Sequence, residues 1–312
     1  MSKNVILVTA ADLAPEALAL LGEFDIVFAG KAPSDDDIVQ LCAEHNPVAI
    51  IVRYAKVGAA AMDAAPALKV ISKHGSGIDT IDKAAARARG IEVVAAAGAN
   101  AAAVAEHAMA LLLACAKSVV QLDARMREGH WDKATHKSME REGRCVGLVG
   151  LGAIGQRFAA TAHAMGMRII GFDPFATRVP THIERVELSD IWSQADVISL
   201  HCPLSDGNRH LINAEVLQQC KPGVILINTA RGGLIDEAAL LAAVQSGQVA
   251  QAGLDSFAIE PMTPEHPFQR EANIILSPHI GGVTADAYTK MGIASARNAL
   301  RFISASHATS HV

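Results

Sequence analysis

Three short segments place an arginine, a glutamate and a histidine just after apolar runs. They are Asn228-Thr229-Ala230-Arg231-Gly232-Gly233, Asp255-Ser256-Phe257-Ala258-Ile259-Glu260-Pro261 and Ser277-Pro278-His279-Ile280-Gly281-Gly282. Arg231 can grip a carboxylate through two parallel hydrogen bonds. His279 can give or take a proton near neutral pH. Glu260 can hydrogen-bond that imidazole, raise its pKa and fix its orientation. Singly, each is an ordinary surface or turn residue. After three strands of one sheet they would converge at the edge where open α/β sheets bind ligands.

A fourth segment, Gly150-Leu151-Gly152-Ala153-Ile154-Gly155, follows the strand-like run Cys145–Val149 and precedes a helical pattern from Gln156 to Met165. G-x-G-x-x-G alone is weak, but between a strand and a helix it reads as a dinucleotide-binding loop. Gly150 would permit the tight turn, Gly152 would leave room for the pyrophosphate, and Gly155 would let the helix pack closely. The helix start then offers free N–H groups to the phosphates. The next run ends at Asp173, close to the offset of about 20 residues expected for a ribose-binding acid. A carboxylate there accepts from the ribose hydroxyls and repels a 2′-phosphate, so NAD is expected over NADP.

These segments need parallel strands to hold them. Continuous β-branched runs alternate with helical patterns along the whole chain, which predicts βαβ units buried on both faces. The first series is Asn4–Ala10, Asp25–Ala29, Val48–Arg53, Lys69–Ser72 and Glu92–Ala95. The second is Cys145–Val149, Arg168–Phe172, Val197–Leu200, Val224–Asn228, Ala250–Leu254 and Asn273–Leu276, six strands forming a doubly wound sheet. A long helical stretch from Ala101 to about Ser118 separates the two series.

Composition narrows the function classes. A length of 312 residues suggests two domains. With 51% hydrophobic and 19% charged residues, the chain can bury a large core, which excludes disorder. A net charge of −5 gives no basic surface for a nucleic-acid duplex. The five cysteines form no C-x-x-C pair, so neither a disulfide framework nor a metal site is expected, and the expected compartment is the cytoplasm. The start of the chain has no signal-peptide h-region. The most apolar stretch, Ala101–Ala116, is interrupted by Glu106 and His107 and falls short of the roughly 20 residues a membrane span needs.

With these residues in view, the sequence resembles the D-isomer-specific 2-hydroxyacid dehydrogenases. Val149–Gly155, Thr229–Asp236, Gly253–Pro261 and Ser277–Gly282 look like the family's signatures in the right order. Ala105-Glu106-His107-Ala108 and Lys221-Pro222-Gly223 are similar to its phosphoglycerate dehydrogenase branch. The resemblance implies two doubly wound parallel-sheet domains. A Rossmann NAD-binding domain (residues 100–284) would be inserted in a flavodoxin-like substrate domain (residues 1–99 plus 285–312), with a hinge motion closing the active site. Hydride would pass between nicotinamide and C2 of a small anionic 2-hydroxy or 2-keto acid. His279 would be the acid–base, Glu260 its support and Arg231 the carboxylate ligand. Ala153 and Ile154 would offer amides to the pyrophosphate. His201, Cys202 and Pro203 would line the adenosine side, Thr229 and Ala230 would border the nicotinamide ribose, Asp255 would face the carboxamide, and Gly281 would also contact the cofactor. The family also implies a homodimer, with the region around Ala101–Leu122 exchanged between subunits.

For the substrate, the resemblance points to the glycine-rich loop Lys73-His74-Gly75-Ser76-Gly77, whose amides can form an anion nest. Gly75, Ser76 and Gly77 would hold the carboxylate, and Asn100 lies where relatives often touch substrate. Arg53 matches the basic residue near a substrate phosphate. Tyr54 departs from the small residue expected beside it, which weakens the case for a phosphate. Lys56, Lys73 and His74 would either add positive charge or be solvated surface residues. The implied function is closest to 3-phosphoglycerate dehydrogenase. The alternative in the same class is a hydroxypyruvate or glyoxylate reductase, or a dehydrogenase of another anionic 2-hydroxyacid such as sulfolactate. The alternative in a different class is a non-enzymatic NAD-sensing corepressor. The chain ends soon after its last helical pattern, so no serine-sensing C-terminal domain is expected.

Overall fold

The computed structural model describes residues 3–308, with side chains as far as residue 304. The chain divides into two compact units, residues 1–100 with 283–312 and residues 101–282.

The first unit opens with β1 (Val5–Val8), α1 (Pro15–Leu20), β2 (Asp25–Phe28), α2 (Asp35–His45), β3 (Ala49–Val52), α3 (Ala59–Asp63), β4 (Val70–Lys73), α4 (Lys83–Ala88) and β5 (Glu92–Ala95). The sheet order is β2-β1-β3-β4-β5 and every pairing is parallel, the flavodoxin arrangement. β3 and β4 are buried along their whole length; β3 reads as an unbroken apolar run for that reason, while β4 also buries Ser72 and Lys73. Ser34 and Asp37 close a reciprocal capping box at the start of α2.

The second unit begins with α5 (Ala101–Lys117) and α6 (Val119–Arg127). It continues through β6 (Cys145–Val149), α7 (Ala153–Ala164), β7 (Arg168–Phe172), β8 (Ile183–Arg185), α8 (Leu188–Gln194) and β9 (Val197–Leu200). It ends with α9 (Ala214–Gln219), β10 (Val224–Asn228), α10 (Glu237–Gln245), β11 (Val249–Leu254) and β12 (Ile274–Leu276). The seven strands run parallel in the order β12-β11-β10-β9-β6-β7-β8, the Rossmann order with β12 added at one edge. The sequence reading stops at six. The seventh, β8, is an edge strand of three residues of which only Ile183 is buried, too short to show a period. The last helix, α11 (Ala285–Ala308), belongs to the first unit. There Ser72 Oγ donates to the Ser295 carbonyl at 2.9 Å, and Ala296, Ala299 and Ile303 join the core of Ile6, Val8, Ile51 and Val70.

No single helix is long and apolar enough to cross a membrane among the described residues. The apolar content of α5 serves packing instead. Leu111 and Cys115 lie on β11 at Gly253, where a Cβ would stand 2.9 Å from Leu111 Cβ and 3.1 Å from Ile227 Cδ1. Gly253→Ala is therefore expected to cost about 1–3 kcal/mol through overpacking. Chemical denaturation would show it as a lower unfolding midpoint for the second unit.

Candidate functional site

The Gly150–Gly155 loop joins β6 to α7, and its three glycines have three separate reasons. Gly150 has φ +101°, and a Cβ there would lie 2.6 Å from the His201 carbonyl carbon. Gly155 faces the loop's own start, where a Cβ would come 2.2 Å from the Gly150 carbonyl oxygen. At Gly152 nothing lies within 4 Å of the Cβ position. The first two close the turn, and the third leaves open space at the N-terminus of a 12-residue helix. Asp173, at the end of β7, is tied to this loop. Its Oδ2 accepts from the Leu151 amide at 2.8 Å, and its Oδ1 accepts from Phe175 and Ala176 at 2.8 and 3.1 Å.

β9 ends beside the loop and delivers His201, Cys202 and Pro203. The His201 ring packs on Phe158, and its Nε2 pairs with Ser199 Oγ at 2.9 Å. Burial drives its pKa down to about 4, so the ring is neutral, and its Nδ1 is buried without a partner. Burial pushes the Cys202 thiol up to about 11, so it stays protonated. On β10, Asn228 is buried and shapes the next turn. Its Oδ1 accepts from the Ala230 amide at 3.0 Å and its Nδ2 donates to the Arg231 carbonyl at 2.9 Å. Thr229 Oγ1 beside it is buried without a partner. Open space over Gly152 and unanswered polar atoms on His201 and Thr229 fit a dinucleotide. Ala153 and Ile154 open α7, where the first amides of a helix have no partner within it.

Arg231, Glu260 and His279 stand after β10, β11 and β12. Gly232 lets two of these loops meet, because a Cβ there would fall 1.9 Å from the Phe257 carbonyl carbon. Glu237 braces the same segment by accepting from the Ala258 amide at 2.9 Å. Glu260 Oε1 accepts from the Phe257 amide at 2.9 Å, which points Oε2 at His279 Nδ1, 2.7 Å away. The hydrogen bond to Glu260 raises the His279 pKa above its usual 6.5 against the opposing effect of burial, and the negative charges of Glu260 and Asp255 add to it. Burial would raise Glu260 itself. The His279 hydrogen bond, the Phe257 amide and the positive charges of His279 and Arg231 overcome that and hold it lower. His279 has φ +55°, a left-handed backbone that a side-chain-bearing residue adopts only when its surroundings impose it.

Asp255, at the end of β11, is engaged by the His279 loop. It is 2% exposed, and its two oxygens accept from the Ile280 and Gly281 amides at 2.9 and 2.8 Å. The carboxylate is thus turned into the His279 loop. Gly281 packs against it, where a Cβ would lie 2.9 Å from Asp255 Oδ2. His107 of α5 and Ser277 complete this cluster, which the sequence reading missed. His107 Nε2 is 2.9 Å from Ser277 Oγ and 3.3 Å from Asp255 Oδ1.

In the first unit, the loop after β4 carries Gly75 at φ +147°, and Ser76 Oγ donates to Asn100 Oδ1 at 2.8 Å. Gly77 follows in the same turn. Lys73 and His74 are not solvated surface residues. Lys73 is buried and its Nζ donates to the Arg53 carbonyl at 2.8 Å. His74 is buried against Tyr288, and burial, with the Arg53 charge, lowers its pKa to about 4. Arg53 is itself paired with the Asp12 carboxylate and lies 4.8 Å from the Tyr288 ring centre and 4.9 Å from that of Tyr54. Its Nη2 donates to the Tyr54 hydroxyl at 3.0 Å.

Residues 109–281 match the family model of the D-isomer specific 2-hydroxyacid dehydrogenase, NAD binding domain. The chain is 42% identical over 263 residues to the hydroxypyruvate reductase of Thermotoga maritima, covering 83% of this chain and 85% of that protein. It is 41% identical over 296 residues to the D-3-phosphoglycerate dehydrogenase of Mycobacterium tuberculosis, covering 94% of this chain but 55% of that protein. The chain thus spans about half the length of that relative. Among solved structures, the TT0316 protein of Thermus thermophilus superposes with a TM-score of 0.88 at 34% identity, covering 96% of this chain and 97% of the other. A D-2-hydroxyisocaproate dehydrogenase superposes with a TM-score of 0.83 at 26% identity over 97% of both chains. The glycine loop, the acid after β7 and the strand-end segments thus lie on the fold these relatives share. The chain belongs to the D-isomer-specific 2-hydroxyacid dehydrogenase family, and its second unit carries that family's NAD-binding domain.

Proposed function

We propose that the protein interconverts a D-2-hydroxyacid and its 2-keto acid with NAD. The observation that carries this reading is the 2.7 Å hydrogen bond between Glu260 and His279, on the sheet edge that also bears the glycine loop. Nicotinamide, when bound, supplies or accepts the hydride. Glu260 accepts a hydrogen bond from the Nδ1–H of His279, which leaves Nε2 to exchange a proton with substrate. In reduction, Nε2 gives its proton to the carbonyl oxygen; in oxidation, it takes the hydroxyl proton. Arg231 binds the substrate carboxylate and its positive charge orients the reacting carbonyl. In the first unit, the amides of Gly75, Ser76 and Gly77, with Asn100, are the candidates for holding the substrate's anionic end. The cofactor contacts of Asp173, His201, Cys202, Pro203, Thr229, Ala230, Asp255 and Gly281 belong to this same proposal.

The similarity to phosphoglycerate dehydrogenases favours 3-phosphoglycerate as the hydroxyacid. The state of Arg53 favours a second reading, hydroxypyruvate or glyoxylate reduction. Its guanidinium is already balanced by Asp12 and stacked by tyrosines, so it offers a phosphate less than a solvated arginine would. A homodimer is part of the proposal. Val119, Val120 and Met126 of α6 are each more than half exposed, and α6 has no buried residue. The cysteines are free thiols, which supports a reducing, cytoplasmic setting.

NADH oxidation with phosphohydroxypyruvate, hydroxypyruvate, glyoxylate and sulfopyruvate side by side tests the reading. A preference for phosphohydroxypyruvate supports the first substrate, and a preference for another supports the second. No oxidation with NADH binding intact would favour the NAD-sensing corepressor. His279→Ala is expected to lose about 10²–10⁴-fold in turnover while NADH still binds, as fluorescence titration would show. Asp173→Ala should weaken NAD binding and narrow the difference between NAD and NADP in KM. Reduction needs protonated His279, so kcat/KM for the keto acid should fall as pH rises through its raised pKa, and the oxidative rate should climb. Glu260→Gln removes the cause of the shift and should move the reductive limb to lower pH.

A further inference from the structure

The His279 loop is held by more than its partner carboxylate. Asp255 Oδ1 and Oδ2 accept from the two amides that follow His279. A carboxylate accepts only, so the His107 Nε2 that lies 3.3 Å from Asp255 Oδ1 must carry a hydrogen to make that contact favourable. The same Nε2 reaches Ser277 Oγ at 2.9 Å, two residues before His279. The His107 ring also backs Gly281, where a Cβ would stand 3.3 Å from His107 Cδ2. One imidazole on α5 therefore touches both ends of the turn that carries His279 and the buried carboxylate that clamps it. Within that turn, the His279 amide donates to the Ser277 carbonyl at 3.0 Å and the residue sits at φ +55°. A left-handed backbone at a residue with a side chain is uncommon and depends on support from its surroundings.

We infer that His107 is a positioning residue for His279: through Asp255, Ser277 and Gly281 it holds the strained turn that presents the imidazole to Glu260. The inference rests on the proposed acid–base role of His279 for its consequence in turnover, but not for its geometry. If His107 is lost, Asp255 keeps its two amides but loses its side-chain partner, and space opens beside Gly281. The turn can then relax, and the Glu260–His279 hydrogen bond lengthens. The charged groups that bear on His279 are Glu260 from the segment after β11, Asp255 at the end of β11 and Arg231 after β10. Loss of the Glu260 bond would lower the His279 pKa toward its ordinary value.

The test is to titrate the His279 imidazole by NMR in the full-length protein, with its signal assigned by its loss in His279→Ala. His107→Leu keeps bulk and removes the ring nitrogens; His107→Gln keeps a donor near the Nε2 position. The expected result is a lowered His279 pKa in His107→Leu and a value close to that of the unaltered protein in His107→Gln. In turnover, His107→Leu should lose about 10- to 100-fold in kcat with the KM for NADH unchanged, because small displacements of a reacting group cost that much. A His279 pKa that is unchanged in His107→Leu, even if the melting temperature falls, would make His107 a packing residue and overturn the inference. A raised pKa would mean that His107 acts only through its own charge, and would overturn it as well. If the titration shifts as expected but none of the keto acids is reduced, the positioning role stands and the dehydrogenase reading fails.

Discussion

All strands of the second sheet point the same way, and the site follows from that constraint. Parallel pairing of β10 with β11 and of β11 with β12 aligns Asn228 with Leu254 and Leu254 with Leu276. The residues that follow these three positions must then leave the sheet side by side. Arg231, Glu260 and His279 come from positions far apart in the chain and share an edge because the ladders share a direction. The glycine loop leaves the same edge after β6, in a sheet where β6 and β9 pair through Val149 and Leu200. Catalytic candidates and cofactor loop are thus neighbours by topology before any side chain contributes.

Close backbone approach sets the finer geometry. Gly150 admits the His201 backbone, Gly155 admits the Gly150 carbonyl, and Gly232 admits the Phe257 backbone. Each approach excludes even a methyl group, so the glycine loop is pinned to the loop after β9, and the loop after β10 to the loop after β11, by shape rather than by strong bonds. Carboxylates then do the orienting. Asp173 gathers three amides around the glycine loop, and Asp255 gathers two around the His279 turn. Glu260 takes one amide, and its free oxygen meets the imidazole. Carboxylate acceptors tied to backbone donors take fixed directions, and a fixed direction is what proton transfer requires.

The first unit uses its charges differently. Arg53, Lys73 and His74 follow strands where anion-binding residues are often found, yet each is spent internally. Arg53 faces Asp12 and two tyrosine rings, Lys73 caps the Arg53 carbonyl, and His74 is held neutral by burial.

Sequence alone determined the strands, the glycine loop and the identity of the strand-end residues. These are local matters: β-branched runs, a turn that only glycine can make, and a charged residue where an apolar run stops. It also placed Glu260 and His279 as a pair, since their types suit each other and their segments follow adjacent runs. It did not reveal β8, whose single buried residue leaves no period to read. Nor did it give roles to Asn228, Glu237, His107 or Ser277: three of them lie inside segments it had marked, but contacts such as that of His107 with Ser277 and Asp255 join elements distant in the chain. The burial of Lys73 and His74 and the engagement of Asp255 by the Ile280 and Gly281 amides were decided by tertiary structure alone. A side chain's charge state and direction depend on what the fold packs around it, and that environment is assembled from residues distant in sequence.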